Sequence, residues 1–318
     1  MKKTIFAFLI SLFSVVFADV TVGILNGPSC VPLAPMMENL VSIENEELKF
    51  EKFSDAKSLL PKLIKNEIDI GFLPPNVAAK AANSSNNSII CLAVTGQGNL
   101  SLISRNQNIK ALNDLQGKTV YIAGQGATPD YMTKFLLSEN LIDFTENGEK
   151  SDEKTVNLNF SIPTAQIAAM MIAGKIEYAV VPEPFSTIAK LKDSSIKTVI
   201  NFQKEFTAVT QKQNYPLTVL VASRKFAEEN TEVLNKFLEL YSQYLNEATS
   251  DIKNTARLCE KHNLGLKYDV VLNSFPSSAY VFIPARDAKS DLEYLFQIFM
   301  KNEPSSIGGK LPDNDFYY

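Results

Sequence analysis

The chain has 318 residues, of which 45% are hydrophobic, and a formal net charge of -4 from 31 basic and 35 acidic side chains. That length suits one large domain or two smaller ones, and the hydrophobic fraction suits a packed core. Charges of both signs are interspersed, which argues against a nucleic-acid-binding protein with its basic stripe.

The first 18 residues are typical of a secretory signal. Two lysines are followed by an apolar run at 5–17, and small residues at Val16 and Ala18 suit cleavage before Asp19. A membrane anchor is the alternative, but the run is too short to span a bilayer comfortably. No cysteine lies near the cleavage site for lipid attachment. The sequence therefore predicts a periplasmic or secreted protein whose residues 1–18 are removed.

The two halves of the chain carry a weak internal repeat. A predicted strand at 20–25 precedes the sequence NGPS at 26–29, and a predicted strand at 119–123 precedes QGAT at 125–128. Shared turn chemistry of strand–helix units is the alternative explanation. The same order of elements in both halves favours two similar lobes.

The repeat recurs downstream in a pair of segments that align with each other without a gap. A helical period at 59–66 leads into an apolar strand at 68–73, and a helical period at 167–174 leads into one at 176–181. Proline stops both strands, at Pro74 and Pro182. This alternation predicts an α/β fold in which each lobe is a mostly parallel sheet flanked by helices.

The predicted chain path crosses between the lobes twice. We expect the first lobe to comprise 19–105 and 214–318 and the second lobe to comprise 106–213, with a polar crossing at 105–108. Two such crossings form a two-stranded hinge that can close around a ligand.

Four segments resemble a known family. They are 112–120 (LNDLQGKTV), 126–129 (GATP), 173–179 (AGKIEYA) and the pair Glu183-Pro184. With the leader, they make the chain resemble the type II periplasmic solute-binding proteins of ABC importers, in the branch for nitrate, taurine, aliphatic sulfonates and thiamine precursors. The resemblance implies a two-lobe periplasmic-binding-protein-like fold, a small-molecule ligand, and permease and ATPase subunits as partners. We expect a monomer.

In sheets of this kind, ligands bind beyond the carboxyl ends of the strands. The four loops that follow the repeated strands, at 26–29, 74–76, 125–128 and 182–184, lie at such ends. Thr128 is predicted to be the N-cap of a helix, and its neighbour Gly126 permits close approach of a ligand oxygen. Plain helix capping is the alternative for Thr128, and also for Glu183, the only acid in these loops. The predicted ligand-binding residues are Asn26, Gly27, Ser29, Pro74, Asn76, Gln97, Gln125, Gly126, Thr128, Thr164, Gln166 and Glu183.

The same loops contain no Lys or Arg apart from Arg105, which flanks the predicted crossing. That absence argues mildly against a strongly anionic ligand, although helix N-termini can hold anions unaided. We therefore predict a small neutral or zwitterionic ligand, with an N-heterocycle ahead of a sulfonate.

An enzyme on the same fold is the main alternative function, since a fold alone does not determine function. A pyrimidine synthase of thiamine biosynthesis resembles this architecture, and Glu183 would be the base for a small heterocycle. However, the one histidine, His262, lies in a late helical region, and no metal-ligand spacing appears. We expect no catalysis, no metal and no cofactor. A sensor or adhesin is a third possibility that the sequence does not separate from an importer subunit.

Three cysteines, Cys30, Cys91 and Cys259, are widely spaced. Buried free thiols are the expected state, and a Cys30–Cys91 disulfide is the alternative.

Overall fold

The computed structural model describes residues 19–25, 27–44, 46–148 and 152–318. The predicted secretory signal at 1–18 and the predicted ligand-binding residue Asn26 lie outside the described residues. None of the described helices combines the length and the apolar character that crossing a bilayer requires.

The described residues form a seven-stranded and a six-stranded β-sheet, with helices packed on both. This confirms the predicted two-lobe α/β fold. In chain order the strands are β1 (Val20–Leu25), β2 (Ser42–Ile43), β3 (Glu46–Phe53), β4 (Ile70–Leu73), β5 (Ile89–Gln97), β6 (Leu100–Ser104), β7 (Thr119–Ile122), β8 (Phe144–Glu146), β9 (Val156–Asn159), β10 (Tyr178–Pro182), β11 (Lys197–Asn201), β12 (Pro216–Ser223) and β13 (Tyr280–Pro284).

Helices cover both sheets. They are α1 (Ala34–Glu38), α2 (Ala56–Ile64), α3 (Pro75–Ser84), α4 (Thr128–Glu139), α5 (Thr164–Ile172), α6 (Phe185–Lys192), α7 (Phe202–Thr210), α8 (Arg224–Glu229), α9 (Thr231–Ser250), α10 (Ile252–Lys261), α11 (Tyr268–Ser274) and α12 (Lys289–Asn302). Short 3-10 helices occupy Pro28–Leu33, Leu112–Leu115, Phe275–Ser277, Pro304–Ile307 and Asn314–Phe316.

The strand order repeats between the sheets. The first sheet contains the run β12-β4-β1-β3 and the second contains β6-β10-β7-β9. In both runs the strand that opens the repeat, β1 or β7, pairs in parallel with its two neighbours, whereas β12 and β6 are antiparallel to theirs. Both sheets are therefore mixed: two of the six pairings in the first sheet and three of the five in the second are parallel, so the predicted mostly parallel sheet fits only the second. The chain enters β6 from the first lobe and β12 from the second lobe. Each of these strands is antiparallel to the neighbouring strand of the repeat, β10 or β4.

Close packing over the first sheet depends on two strand glycines. A Cβ on Gly23 in β1 would lie 2.3 Å from Leu59, and one on Gly71 in β4 would lie 3.1 Å from Leu63. Leu59 and Leu63 therefore lie directly against the strands, and both are fully buried. Helix α2 that carries them starts earlier than predicted, because Asp55 caps it by accepting from the Ser58 N–H at 2.9 Å.

The first crossing between the sheets lies at Gly98 and Asn99, not at 105–108. Residues Leu100–Ser104, predicted for the first lobe, are β6 of the second sheet, where they pair with β10 and β11. Arg105 lies within the second lobe and pairs with Asp193 at 2.6 Å. By sheet membership the first lobe therefore ends at Gln97 and the second begins at Leu100.

The chain returns to the first sheet between α7 and β12, across the predicted boundary at 213/214. The two crossings contact each other directly. The Gly98 N–H donates to the Tyr215 carbonyl at 2.8 Å, and a Cβ on Gly98 would lie 2.1 Å from the Tyr215 ring. Only glycine fits this approach, so the crossings form a compact double connection.

Helix α12 contacts both lobes. It packs on α3 of the first lobe, and Phe299 lies 5.1 Å, between ring centroids, from Tyr131 of the second. Asp291 of the same helix pairs with Lys212 at 2.7 Å. One continuous apolar cluster consequently contains residues of both lobes together with this helix.

All three cysteines are buried free thiols, so the Cys30–Cys91 disulfide does not form. The Cys30 thiol donates to the Gly27 carbonyl at 2.9 Å. Burial raises the pKa of the Cys30 thiol to about 11, so the neutral thiol predominates at neutral pH.

Candidate functional site

A cavity of about 300 Å³ lies between the two sheets, beyond the carboxyl ends of β1, β4, β5 and β10. Both lobes contribute walls. The first lobe and its returning strands contribute Leu25, Pro28, Ser29, Ser54, Leu73, Pro74, Thr95, Gly96, Gln97, Leu217, Thr218, Ser278 and Tyr280. The first crossing contributes Asn99, and the second lobe contributes Ala127, Thr128, Pro129, Pro182, Glu183 and Phe185.

The wall is mainly apolar, with a few hydroxyl and amide groups. Among the described residues that line the cavity, Glu183 is the only carboxylate and none is Lys, Arg or His. A small organic molecule fits such a wall, because pockets of this kind bury an apolar body and orient it with a few polar groups.

Glu183 both faces the cavity and caps a helix. Its side chain is 2% exposed and lies between β10 and α6. One carboxylate oxygen, Oε2, accepts from the Thr187 N–H of α6 at 3.0 Å. The other, Oε1, lies 3.7 Å from the Lys190 Nζ. The capping alternative that the sequence left open for Glu183 is therefore realised, with the second oxygen only loosely engaged.

The turn after β7 uses Asp130 rather than Thr128 as its capping group. Helix α4 begins at Thr128 with Ala127 as its N-cap, so the prediction of Thr128 as N-cap was one residue late. The Asp130 carboxylate accepts from the Gly126 N–H at 2.8 Å and takes up that donor. Thr128 is buried and faces the cavity.

Asp130 belongs to a buried ionic group. Lys134 lies 2.9 Å from Asp130 and 2.9 Å from Glu146. Burial is the largest influence on Asp130 and raises the pKa of its carboxyl, while the Gly126 N–H and Lys134 act in the opposite direction. The start of α4 thus holds a carboxylate of the chain itself at the positive end of the helix.

Residues 18–260 match the sequence profile of the NMT1-like family. The chain belongs to the NMT1-like family. Comparison with curated proteins gives no match.

Solved structures resemble this NMT1-like protein along nearly its whole length. An ABC transporter protein from Parabacteroides distasonis is 24% identical with a TM-score of 0.77, covering 94% of this chain and 98% of that one. The periplasmic aliphatic sulphonate binding protein SsuA from Escherichia coli is 15% identical with a TM-score of 0.71, covering 95% and 92%. The periplasmic nitrate-binding protein NrtA from Synechocystis is 10% identical with a TM-score of 0.65, covering 91% and 84%.

At these identities the structural matches show a shared fold. Together with the family match they confirm the predicted resemblance to type II solute-binding proteins.

The structure of this NMT1-like protein brings part of the predicted residue set together. The predicted residues that line the cavity are Ser29, Pro74, Gln97, Thr128 and Glu183. The predicted residues that do not line it are Gly27, Asn76, Gln125, Gly126, Thr164 and Gln166.

Local geometry explains these positions. Gln125, Gly126 and Gln166 are exposed, whereas Asn76 is buried in the first turn of α3. The Gly27 N–H donates to the Leu264 carbonyl, which ties this turn to the end of α10. His262 also lies at that end and meets Glu38 at 2.9 Å, and it is not among the residues that line the cavity.

Four residues of the cavity wall were not predicted from the sequence, and they lie on or next to strands β5, β12 and β13. Thr95, Asn99, Thr218 and Tyr280 all line the cavity. A period of two was present as a signal, because Thr95, Gln97 and Asn99 alternate with apolar or glycine residues. Strand β12, which completes this wall, is more than a hundred residues away in sequence, so its pairing with β5 was not readable.

Proposed function

We propose that this NMT1-like protein is the solute-binding component of an ABC importer. It captures a small organic molecule between its lobes by closure about the double crossing and delivers it to a membrane permease driven by ATPase subunits. The observation that carries the proposal is the cavity walled by strand ends from both lobes. The solved proteins with the same fold are named as transporter or periplasmic binding proteins, which supports this role.

We further propose that the ligand is neutral or zwitterionic rather than a simple anion. SsuA and NrtA are named for aliphatic sulphonate and nitrate, which are anions. An anion held without Lys or Arg needs free helix N-termini. In this chain Asp130 occupies the start of α4 and Glu183 occupies the start of α6. Glu183, which lines the cavity, repels an anion and attracts an amine or a ring N–H.

Binding without chemical turnover is the function we propose for this cavity. Catalysis of proton transfer needs a positioned base with a free lone pair near the reacting atom. On the described wall the one carboxylate, Glu183, caps α6 through Oε2 and lies near Lys190 through Oε1, and no histidine or cysteine accompanies it there as a second catalytic group. The enzyme alternative with Glu183 as base is therefore less well supported than solute capture.

We propose an exported location, because the relatives SsuA and NrtA are described as periplasmic and a transporter subunit of this kind meets its solute outside the membrane. We also propose that the protein acts as a monomer, since the cavity is walled by residues of one chain.

The experiment is a thermal-shift screen of the purified exported chain with amides, amines, amino acids, sulfonates and nitrate. A solute at a hundred times its Kd stabilises the folded state by about 2.7 kcal/mol through mass action, which raises the Tm. The bound solute should be recovered chemically unchanged, as checked by mass spectrometry. Conversion of the solute would favour the enzyme, and no stabilising solute in the panel would contradict solute capture.

Glu183→Gln tests the charge at the second-lobe wall. Glutamine retains an acceptor for the Thr187 N–H, so we expect the fold to survive while a ligand with an amine or ring N–H binds about tenfold more weakly. Calorimetry on the strongest solute of the screen measures the change. Unchanged affinity would remove Glu183 from the ligand-binding wall.

A further inference from the structure

The wall of the cavity contains a strand glycine with open space above it. Gly96 lies near the end of β5 and lines the cavity. A Cβ built on Gly96 would have only Thr218 as a close neighbour, since its three nearest atoms all belong to Thr218, at 3.3–3.9 Å. By contrast, a Cβ on Gly23 or Gly71 would lie 2.3 or 3.1 Å from a core leucine. The space over Gly96 therefore belongs to the cavity and not to a packed core.

Neither the backbone nor the packing of the sheet requires glycine at this position. Gly96 does not have the positive φ angle that favours glycine. Register shifts flank its partner Thr218 in β12, but only the bulge type with a residue in the left-handed region favours glycine. A glycine inside a strand weakens the strand, and it often marks a place where a ligand approaches the backbone closely. Close approach of a ligand is the explanation that remains for Gly96.

Two half-buried side chains flank the open space. Gly96 pairs with Tyr280 of β13 on one side and with Thr218 of β12 on the other, and both line the cavity. Residues that pair across strands project from the same face of the sheet. Phe275 supports the Tyr280 ring, with 5.0 Å between the ring centroids. Gly96 is thus the bottom of a slot whose sides are Tyr280 and Thr218, and we call it the Gly96 slot.

The spacing of the strands sets the width of the Gly96 slot. Neighbouring strands lie about 4.8 Å apart, so β13 and β12 are roughly 10 Å apart across β5. Carbon atoms in contact are about 3.5–4.0 Å apart, so two such contacts use most of this distance. One layer of atoms fits between Tyr280 and Thr218, whereas a puckered ring is thicker than the space. The slot therefore suits a planar group.

We propose that Gly96 determines the specificity of the cavity, because a flat ring of the solute stands on its backbone between Tyr280 and Thr218. This inference rests on the proposed solute-binding function and adds the shape of the solute to it. A side chain at position 96 would occupy the place of the ring. Selection in the slot depends on thickness, so it is independent of the charge of Glu183.

The test uses two pairs of probes, benzamide with cyclohexanecarboxamide and benzylamine with cyclohexylmethylamine. The members of each pair have the same polar group and a six-membered ring, which is flat in one and puckered in the other. Calorimetry of the purified exported chain should show the flat member of at least one pair binding about tenfold more tightly, because only the flat ring enters the slot.

Two substitutions change the Gly96 slot in opposite directions. Gly96→Ala fills it with a methyl group, so the flat probe should bind about tenfold more weakly and lose its advantage. The new methyl group would lie 3.3 Å from Thr218, which needs to move by only a few tenths of an ångström. Thr218→Ala widens the slot, so the puckered probe should gain affinity relative to the flat one. A merely structural role of Gly96 would lower the Tm and leave the ratio of affinities unchanged.

Gly71→Ala is the matched control. Gly71 is a strand glycine in β4 of the same sheet, and it is not among the residues that line the cavity. Its added Cβ would lie 3.1 Å from Leu63 in the core. This variant should melt at a lower temperature and retain the full preference for the flat probe.

Three results overturn the Gly96 slot while leaving solute capture intact. The first is equal affinity of the wild type for the two members of both pairs. The second is an unchanged preference in Gly96→Ala or, if that variant does not fold, in Thr218→Ala. The third is failure of both flat probes to bind although a solute of the thermal-shift panel does. Absence of any bound solute overturns the proposed function and the slot with it.

Discussion

The cavity-facing turns of the two lobes occupy equivalent places in the internal repeat but carry different charges. In the second lobe Asp130 and Glu183 occupy backbone donors at the starts of α4 and α6. When each pair of repeated segments is aligned separately, the first lobe has Val31 and Pro75 at those positions. The 3-10 helix Pro28–Leu33 and helix α3 have neither a side-chain cap nor an acid in the first turn.

The comparison shows how one duplicated framework can give a cleft with two unlike walls. The helix starts of the first lobe have no side-chain cap, whereas carboxylates take up backbone donors in the second lobe, and one of these carboxylates, Glu183, lines the cavity. A solute with an acceptor at one end and a donor at the other matches this asymmetry. The following changes test whether the asymmetry is enforced by the packing of each lobe.

The largest effect is expected from placing a carboxylate in the first lobe with Val31→Asp. Val31 is 1% exposed and lies in an apolar cluster, so the new charge would be uncompensated. We expect a loss of about 3–5 kcal/mol in the free energy of unfolding, measured by urea denaturation. Val31→Thr, which is similar in size and uncharged, is the control and should cost less. A loss below about 1 kcal/mol for Val31→Asp would show that burial does not enforce the asymmetry.

Removing the second-lobe cap with Glu183→Ala should have a smaller effect. The variant leaves the Thr187 N–H without its acceptor, and loss of such a cap costs about 0.5–2 kcal/mol. Thermal or urea unfolding measures the change. Glu177→Ala, at an exposed residue before the same strand, should change stability by less than about 0.5 kcal/mol. Equal effects of the two variants would mean that Glu183 contributes no cap.

Both lobes have an exposed leucine with a positive φ angle just after the equivalent helices α1 and α4. Leu40 and Leu141 follow these helices with positive φ angles of 46° and 57°, and they are 88% and 93% exposed. Glycine adopts this conformation without strain, so Leu141→Gly should stabilise the protein by about 0.5–1 kcal/mol. Leu40→Gly should act in the same direction. A lower Tm for both variants would contradict the assignment of strain.

The smallest effect concerns the pH dependence of stability. The pKa of Asp130 is raised above its ordinary value of 3.8, chiefly by burial, so the folded state holds this proton more tightly than the unfolded state does. Its contribution to stability therefore falls as pH rises from about 4 through the folded pKa. Asp130→Asn lacks this proton, so the stability of the wild type relative to the variant should decline over that range. A difference that is constant or rises with pH would contradict the raised pKa.

Much of the framework was predictable because it depends on local pattern. Strand 20–25 and the repeated order of strands follow from runs of apolar residues ended by Gly or Pro. The crossing at Gly98 was not predictable in this way, because the more polar segment at 105–108 gave the stronger signal. The mixed sheets depend on β12, whose partners β4 and β5 are distant in sequence.

Only some of the residues that line the cavity could be predicted from the sequence, for a related reason. Strand ends locate a turn, but side-chain direction within the turn depends on the local backbone, so Ser29 faces the cavity while Gln125 is exposed. The carboxylate of Asp130 was visible as an acid in a first turn, yet its bond to the Gly126 N–H requires the three-dimensional turn.

The C-terminal helix α12 has a consequence for how the molecule comes apart on heating. The aromatic and charged side chains of this helix contact both lobes. Neither lobe therefore keeps a complete hydrophobic core once the helix detaches. Melting should therefore appear in calorimetry as one cooperative transition rather than two, despite the bipartite architecture.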